Sequence, residues 1–348
     1  MKGIGRKNMR RALVGIIVLL LILTLGACGK ANLPGTKTDE RAAANITSGA
    51  AKVAQYGDYI YLSRGDRIVR FNPDQITEKD TLDDFTFKTG NYSDICIFAD
   101  KLYAIESVSE ERSELIAIDL QSGNEQVIKV FKDDEAKNLW FNNLIGDKLY
   151  LWVNESIFYL DVNNEIKDTG YRNPLFVTED GVYVSASVVD DVNKGLSFVS
   201  NGSVVEYKDL KEKKVDIKFK YGSRIYMTVD NSPAYIEHNG SQEVTYIKIS
   251  SGVSNLSDAF VVCMNYVDSP EKTLVLSVGT IDPNATDYSN SMFSRTYTLD
   301  VETGIATQIY EKTHIVVPLC WPSVIGDYIF VGGIGDSTDW ITGEIHLR

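Results

Sequence analysis

Oxygen ligands crowd the run IDPNATDYSNSM at 281–292. Asp282, Asn284 and Asp287 are the side chains there that suit Ca²⁺, a hard cation that takes carboxylate and amide oxygens. Their spacing departs from an EF-hand loop, and the glycine that such a loop needs for its sharp turn is missing. A solvated loop accounts for the same residues. A second polar run, GDSTDW at 335–340, carries Asp336, Asp339 and Trp340. With Tyr288 from the first run it combines acids with aromatic surface, a pairing that suits a cationic ligand or a Ca²⁺-bridged sugar. Trp140, Trp152, Trp321 and Trp340 are the residues able to form flat platforms for sugar rings. Trp152 sits inside an apolar run and reads as core, whereas Trp340 sits in a polar stretch and reads as surface.

Reaction chemistry is harder to place. His238, His314 and His346 are the three histidines, and none is joined by a second histidine, cysteine or carboxylate at zinc-ligand spacing. A Ser-His-Asp triad assembles from distant positions, so spacing alone does not decide on one. No G-x-S-x-G elbow supports it. Carboxylate pairs for glycoside cleavage have the same difficulty, because with 48 acidic residues some pair always looks suitable. No catalytic residue is assigned, and no cofactor beyond Ca²⁺ is suggested. Arg64-Gly65-Asp66 matches the tripeptide that integrins read, but glycine and aspartate there are also what a tight turn needs.

The elements that must position such residues are strands. At 146–161, GDKLYLWVNESIFYLD, two apolar runs flank a short polar turn, the pattern of a β-hairpin. Neither run alternates cleanly, so both faces expect cover. Similar phrases recur at Gly57, Ala99, Asp180, Gly222, in TLVLSVG with RTYTLDVETG, and at Gly326. Each copy reads as four strands; in the second they span 92–98, 101–106, 114–120 and 125–131. Unit starts near 51, 92, 138, 174, 214, 260 and 315 are spaced as propeller blades are. The expected fold is therefore all-β, a seven-bladed β-propeller over 51–348, with six or eight blades as the neighbouring counts. Residues 44–50 are expected to supply the strand that closes the ring.

The words GDYIY, DKLYAI, GDKLYL and GDYIF, with Asp-ended strands such as FYLD, resemble the repeats of bacterial surface lipoproteins similar to the low-density-lipoprotein-receptor YWTD propeller. The Tyr-Trp-Thr-Asp tetrapeptide itself is absent. The resemblance implies the propeller fold and a cell-surface setting, with no functional residues. The front of the chain agrees with that setting. Five basic residues precede the charge-free run 12–25, and Leu25-Gly26-Ala27-Cys28 resembles a lipobox. The resemblance implies a signal peptide over 1–27 and diacylglyceryl transfer to Cys28, followed by a flexible tether over 28–50. Without 1–27 the chain keeps 30 basic against 48 acidic residues, a balance that disfavours nucleic acid and anionic lipid surfaces. The three remaining cysteines, Cys96, Cys263 and Cys320, lie in apolar segments and read as buried thiols.

These features together lead to a monomeric, lipid-anchored propeller on the extracytoplasmic face of the cell membrane, acting as a non-catalytic binding or scaffold module for a surface protein or glycan. The alternative is an extracytoplasmic propeller hydrolase or lyase acting on glycans. Cys28→Ala should abolish incorporation of labelled fatty acid; label entering the variant, or never entering the natural chain, would contradict the lipobox reading.

Overall fold

The computed structural model describes residues 40–47, 51–75, 82–172, 174–189, 192–238, 240–253, 256–281, 292–315, 321–326, 328–332 and 346–347. The described strands form antiparallel sheets that follow one another along the chain. The first group is Val53–Tyr56, Tyr59–Ser63 and Gly65–Phe71, completed by the first half of the long strand Thr86–Phe98. The second half of that strand opens the next group, with Lys101–Ser109, Arg112–Asp119 and Glu125–Lys132. The third group is Leu139–Ile145, Lys148–Val153, Ser156–Asp161 and Ile166–Arg172. The fourth has Pro174–Val177, Val182–Val184, Ser197–Ser200 and Ser203–Glu206, with a side hairpin of Ser187–Val189 and Val192–Lys194. The fifth holds Val215–Tyr221, Arg224–Val229, Ser232–Glu237 and Val244–Tyr246. The sixth holds Ala259–Tyr266, Thr273–Ile281, Met292–Asp300 and Ala306–Ile315, and Trp321–Ile325, Tyr328–Gly332 and His346–Leu347 follow.

Local sequence explains the repeat. After the first strand of four groups comes a two-residue turn led by glycine, as at Gly146 and Gly222, with φ of +57° and +55°. A two-residue hairpin of this kind wants positive φ at its first central residue, which glycine adopts without strain. The turn fixes the register, Ile145 opposite Lys148 and Tyr221 opposite Arg224. Register then decides which side chains meet the neighbouring sheet. Leu149, Leu151, Ile157 and Leu160 are fully buried, as expected of strands covered on both faces. Cys96 and Cys263 are buried thiols, and burial pushes the Cys263 thiol up to about 11.

The first strands of successive groups touch in a closed cycle, and the strand Trp321–Ile325 returns to Val53–Tyr56. These inner strands are joined to one another largely by side chains. Asp94 accepts from the Phe141 backbone N–H at 3.1 Å, Asn143 donates to the Val177 carbonyl at 2.9 Å, and Asn265 donates to the Pro322 carbonyl at 2.9 Å. The architecture is that of a β-propeller.

The middle of the cycle is filled by a helix, α1, Glu40–Thr47. Ala42 and Ala43 pack against the core shared by the second and third groups, which includes Phe98 and Phe141. Ala44 packs on the opposite side, into the core that holds Phe219 and Met264. A helix that meets opposite sides of the ring lies on its axis, and alanines keep it thin enough to fit. Asn45 is the polar pin. Its side chain donates to the Val324 carbonyl at 3.1 Å, and its oxygen accepts from the Val324 N–H at 3.0 Å and from Asn265 at 2.9 Å. At the other end of α1, Arg41 donates to the Tyr266 and Val267 carbonyls, and its guanidinium stacks 3.7 Å from the Tyr266 ring centroid.

Residues 40–47 thus differ from both expectations for them. They are packed rather than part of a free tether, and they are helical rather than a ring-closing strand. An axial gap needs a cylinder to fill it, and a strand would leave its second edge of backbone groups unpaired inside the protein.

Two stability outcomes follow from this packing. Leu151→Ala should cost about 2–5 kcal/mol through lost burial and the cavity left behind. Asn45→Ala should cost about 1–3 kcal/mol, because it leaves buried partners at Val324 and Asn265 unsatisfied. Equilibrium denaturation checks both, and natural stability in either variant would contradict the packing described.

Candidate functional site

Asp282, Asn284, Asp287, Tyr288, Asp336, Asp339 and Trp340 lie outside the described residues, as do Cys28 and Cys320. Among the described residues no group of three or more histidines, cysteines, aspartates or glutamates comes together to hold a metal ion. The Arg64-Gly65-Asp66 tripeptide is a turn: Gly65 has φ of +85° and the Arg64 N–H donates to the Arg67 carbonyl at 2.9 Å. Arg64 is buried, and Asp66 is bound by its neighbour Arg67 at 2.7 Å, so the tripeptide is not displayed as a free loop tip.

Two polar sets, each anchored on a buried residue, could be mistaken for reaction machinery. In the first, Tyr183 contacts His238 Nδ1 at 2.6 Å, and His238 Nε2 lies 2.8 Å from Asp180. A carboxylate only accepts, so Nε2 carries the proton; in the neutral ring Nδ1 then accepts the Tyr183 hydroxyl proton. Asp180 lies in the turn between the first two strands of the fourth group, and His238 just follows Ser232–Glu237 in the fifth. Spacing could not reveal this set, because Asp180 and His238 are 58 positions apart. Tyr183 has no exposed surface, and burial raises its pKa far above the usual range. A phenol so placed cannot meet a substrate, and the set acts as a tie between two sheets. Burial works against ionisation of Asp180, yet the hydrogen bonds from His238 and Thr178 outweigh it and hold the carboxyl below its usual range.

The second set surrounds Lys218, which is 4% exposed. Its ammonium pairs with Asp216 and lies 4.0 Å from the Cys263 sulfur of the next inner strand. The buried Cys263 keeps its proton at neutral pH and so lacks thiolate reactivity.

The tryptophans give a more open feature. Trp140 and Trp152 are cross-strand partners in the third group, with ring centroids 5.4 Å apart and planes within 8°. Trp152 is half-buried rather than core, and Trp140 is 40% exposed. Trp152 packs towards the cluster of Ile157, Val177 and Val182, which spans the third and fourth groups. The fourth group meets it with strands of only 4 and 3 residues, Pro174–Val177 and Val182–Val184. The third group's first two strands are 7 and 6 residues long. The apolar run around Trp152 assigned it to the interior; the cross-strand pairing that stacks it on Trp140 is a tertiary feature.

No protein-family model matches the chain. No curated protein matches it either. Among solved structures it is similar to an uncharacterized protein from Listeria monocytogenes EGD-e, with 11% identity over 83% of this chain and 90% of that one, at a TM-score of 0.46. It is similar to the oligogalacturonate lyase from Vibrio parahaemolyticus at 11% identity, over 85% of this chain and 86% of that one, at a TM-score of 0.45. TolB from Acinetobacter baumannii aligns at 12% identity and a TM-score of 0.36. The alignment takes in 78% of this chain but only 53% of that TolB. The fold assignment rests on this chain's own sheets and their closed cycle.

A pH outcome follows from Asp180. Its carboxyl is depressed in the folded state, so its contribution is present above the unfolded value, near 4, and is lost as pH falls through the folded one. Asp180→Asn should therefore lower the melting temperature at neutral pH and change it little at the acid end. An equal drop at both ends would contradict the His238–Asp180 bond.

Proposed function

We propose that the chain is a seven-bladed, lipid-anchored propeller on the extracytoplasmic face of the cell membrane, and that it works as a non-catalytic binding or scaffold module. The observation that carries this reading is α1 on the ring axis. The Glu40 end of the helix meets the Gly222 N–H, in a turn that follows an inner strand. Arg41 meets Tyr266 and Val267 at the corresponding end of another. The Glu40 end of α1 therefore faces the side where inner strands end. Cys28 precedes Glu40 by 12 positions, and a 12-residue segment spans at most about 40 Å. A lipid on Cys28 would hold that side towards the membrane and leave the other rim facing outward.

By sequence the runs 281–292 and 335–340 fall between strands that pair with each other, and this reading assigns them to the outward rim. A rigid ring carrying loops of several sheets on one rim is suited to recognition of a surface protein or glycan. Ca²⁺ at Asp282, Asn284 and Asp287, and ligand contact by Tyr288, Asp336, Asp339 and Trp340, belong to this reading. The repeated GDYIY-type words support kinship with surface propellers of the YWTD-like kind.

The test is a screen of the purified full chain against immobilised glycans and surface proteins, with product analysis on every glycan retained. Retention with glycan chain length unchanged is expected. Shortened glycan would overturn the non-catalytic reading. Calorimetry with Ca²⁺ decides the metal: heat that disappears in the Asp282→Ala, Asp287→Ala double variant supports it, and no heat in the natural chain ends it.

A further inference from the structure

We infer that α1 is a reversible plug, which leaves the ring axis and returns as a unit while the ring stays closed, and that the site it vacates takes a short peptide carrying arginine and asparagine four positions apart. The inference is independent of what the outward rim binds. Arg41 and Asn45 lie on one face of the helix, one turn apart. Asn265 meets both of them: its oxygen accepts from Arg41 at 3.2 Å, and its amide donates to Asn45 at 2.9 Å. Oxygens of Asn265, Tyr266 and Val267 surround the Arg41 guanidinium, and the Tyr266 ring covers one of its faces. Acceptors set beside an aromatic face in this way form a receptor for a guanidinium.

The receptor keeps its shape without the helix. Asn265 is fully buried, and its side chain makes two further bonds, to the Pro322 carbonyl at 2.9 Å and from the Tyr266 N–H at 2.8 Å. These hold the amide in place when Arg41 and Asn45 are gone. The Val324 groups that Asn45 meets belong to Trp321–Ile325, which is fixed by its pairing with Tyr328–Gly332. The ring also stays joined. The ties of Asp94, Asn143 and Asn265 to the next inner strands do not pass through α1. Asn231 donates to the Ala259 carbonyl at 2.8 Å between the fifth and sixth groups, and Val53 and Phe330 share a core between the first group and the last.

The helix, by contrast, is held lightly. It belongs to no sheet, and of its 8 residues only Ala44, Asn45 and Ile46 are buried. Ile46 is the single large apolar side chain among them, so little apolar surface supports docking. Strands Lys148–Val153 and Ser156–Asp161 bury Leu149, Leu151, Ile157 and Leu160 completely. So short a segment does not hold helical form alone, so α1 unwinds as it leaves and its bonds are lost together. An opening of this kind lies below the free energy of global unfolding.

Hydrogen exchange of the full chain in detergent, read by mass spectrometry in urea below the unfolding transition, tests this. The amides of 44–47 carry the internal bonds of the helix. Their protection is expected to be roughly tenfold or more below that of Leu149–Val153, with a shallower urea dependence. Arg41→Ala should lower protection of 44–47 about tenfold further and leave 149–153 as they were. Arg41→Lys should restore only part of it, because an ammonium cannot fork between carbonyls. An acetylated, amidated peptide of 40–47 is the competitor, added at millimolar level to match the effective concentration of a short tether. It should lower protection of 44–47 in the natural chain by about twofold or more, and the same peptide with Arg41→Ala and Asn45→Ala should not. Protection of 44–47 equal to that of 149–153, with the same urea dependence, overturns the inference, because α1 then opens only when the ring unfolds. A natural peptide that acts no differently from its double variant overturns it too, because the vacated site then does not read arginine and asparagine.

Discussion

A ring of sheets leaves a hole along its axis, and the stability of this protein depends on how that hole is filled. Inner strands wedge together at the centre, and water held there would waste apolar surface that packing could use. Helix α1 solves the problem with three alanines and one asparagine. The alanines let the helix approach sheets on opposite sides at once. Asn45 then satisfies both backbone groups of Val324 and the side chain of Asn265. In a buried site such a network is worth keeping only if complete, because each orphaned partner carries the full cost of its lost hydration.

The same logic repeats between sheets. Within a sheet, backbone groups pair with the adjoining strand. Between sheets the inner strands meet at an angle and cannot form a ladder, so side chains bridge the gap. Asp94, Asn143 and Asn265 each bond the backbone of the next group. The Tyr183–His238–Asp180 set serves the outer part of the fourth and fifth groups in the same way. Polar residues that look like chemistry in a list of titratable groups act here as joints, which is why burial and accessibility decide their role before pKa does.

Much of the fold was legible in the residues. Glycine-led turns mark where one strand ends and the next begins, and the non-alternating runs Leu149–Val153 and Ile157–Leu160 showed that both faces are covered. The helix at 40–47 was not legible. ERAAANIT is too short to hold helical form on its own, and its alanine-rich composition also suits a solvated linker. Only the axial gap makes it a helix. The tryptophan pair shows a different limit. Trp140 and Trp152 could be named as candidate platforms, but their stacking depends on cross-strand register, which only the folded sheet fixes.

The position of α1 also bears on the order in which the native state can be reached. Its hydrogen-bond partners lie far along the chain: Gly222 is 182 positions from Glu40, Asn265 is 220 from Asn45, and Val324 is 279 from it. This helix, synthesised before every sheet, therefore finds its binding site only when almost the whole polypeptide is present. Contacts of such separation form late and slowly, because a long loop must close before they return any energy. Docking of this helix is thus a completion signal. A chain truncated before Val324 would lack the groups that pin it, leaving the centre open and an incomplete product exposed to quality-control proteolysis.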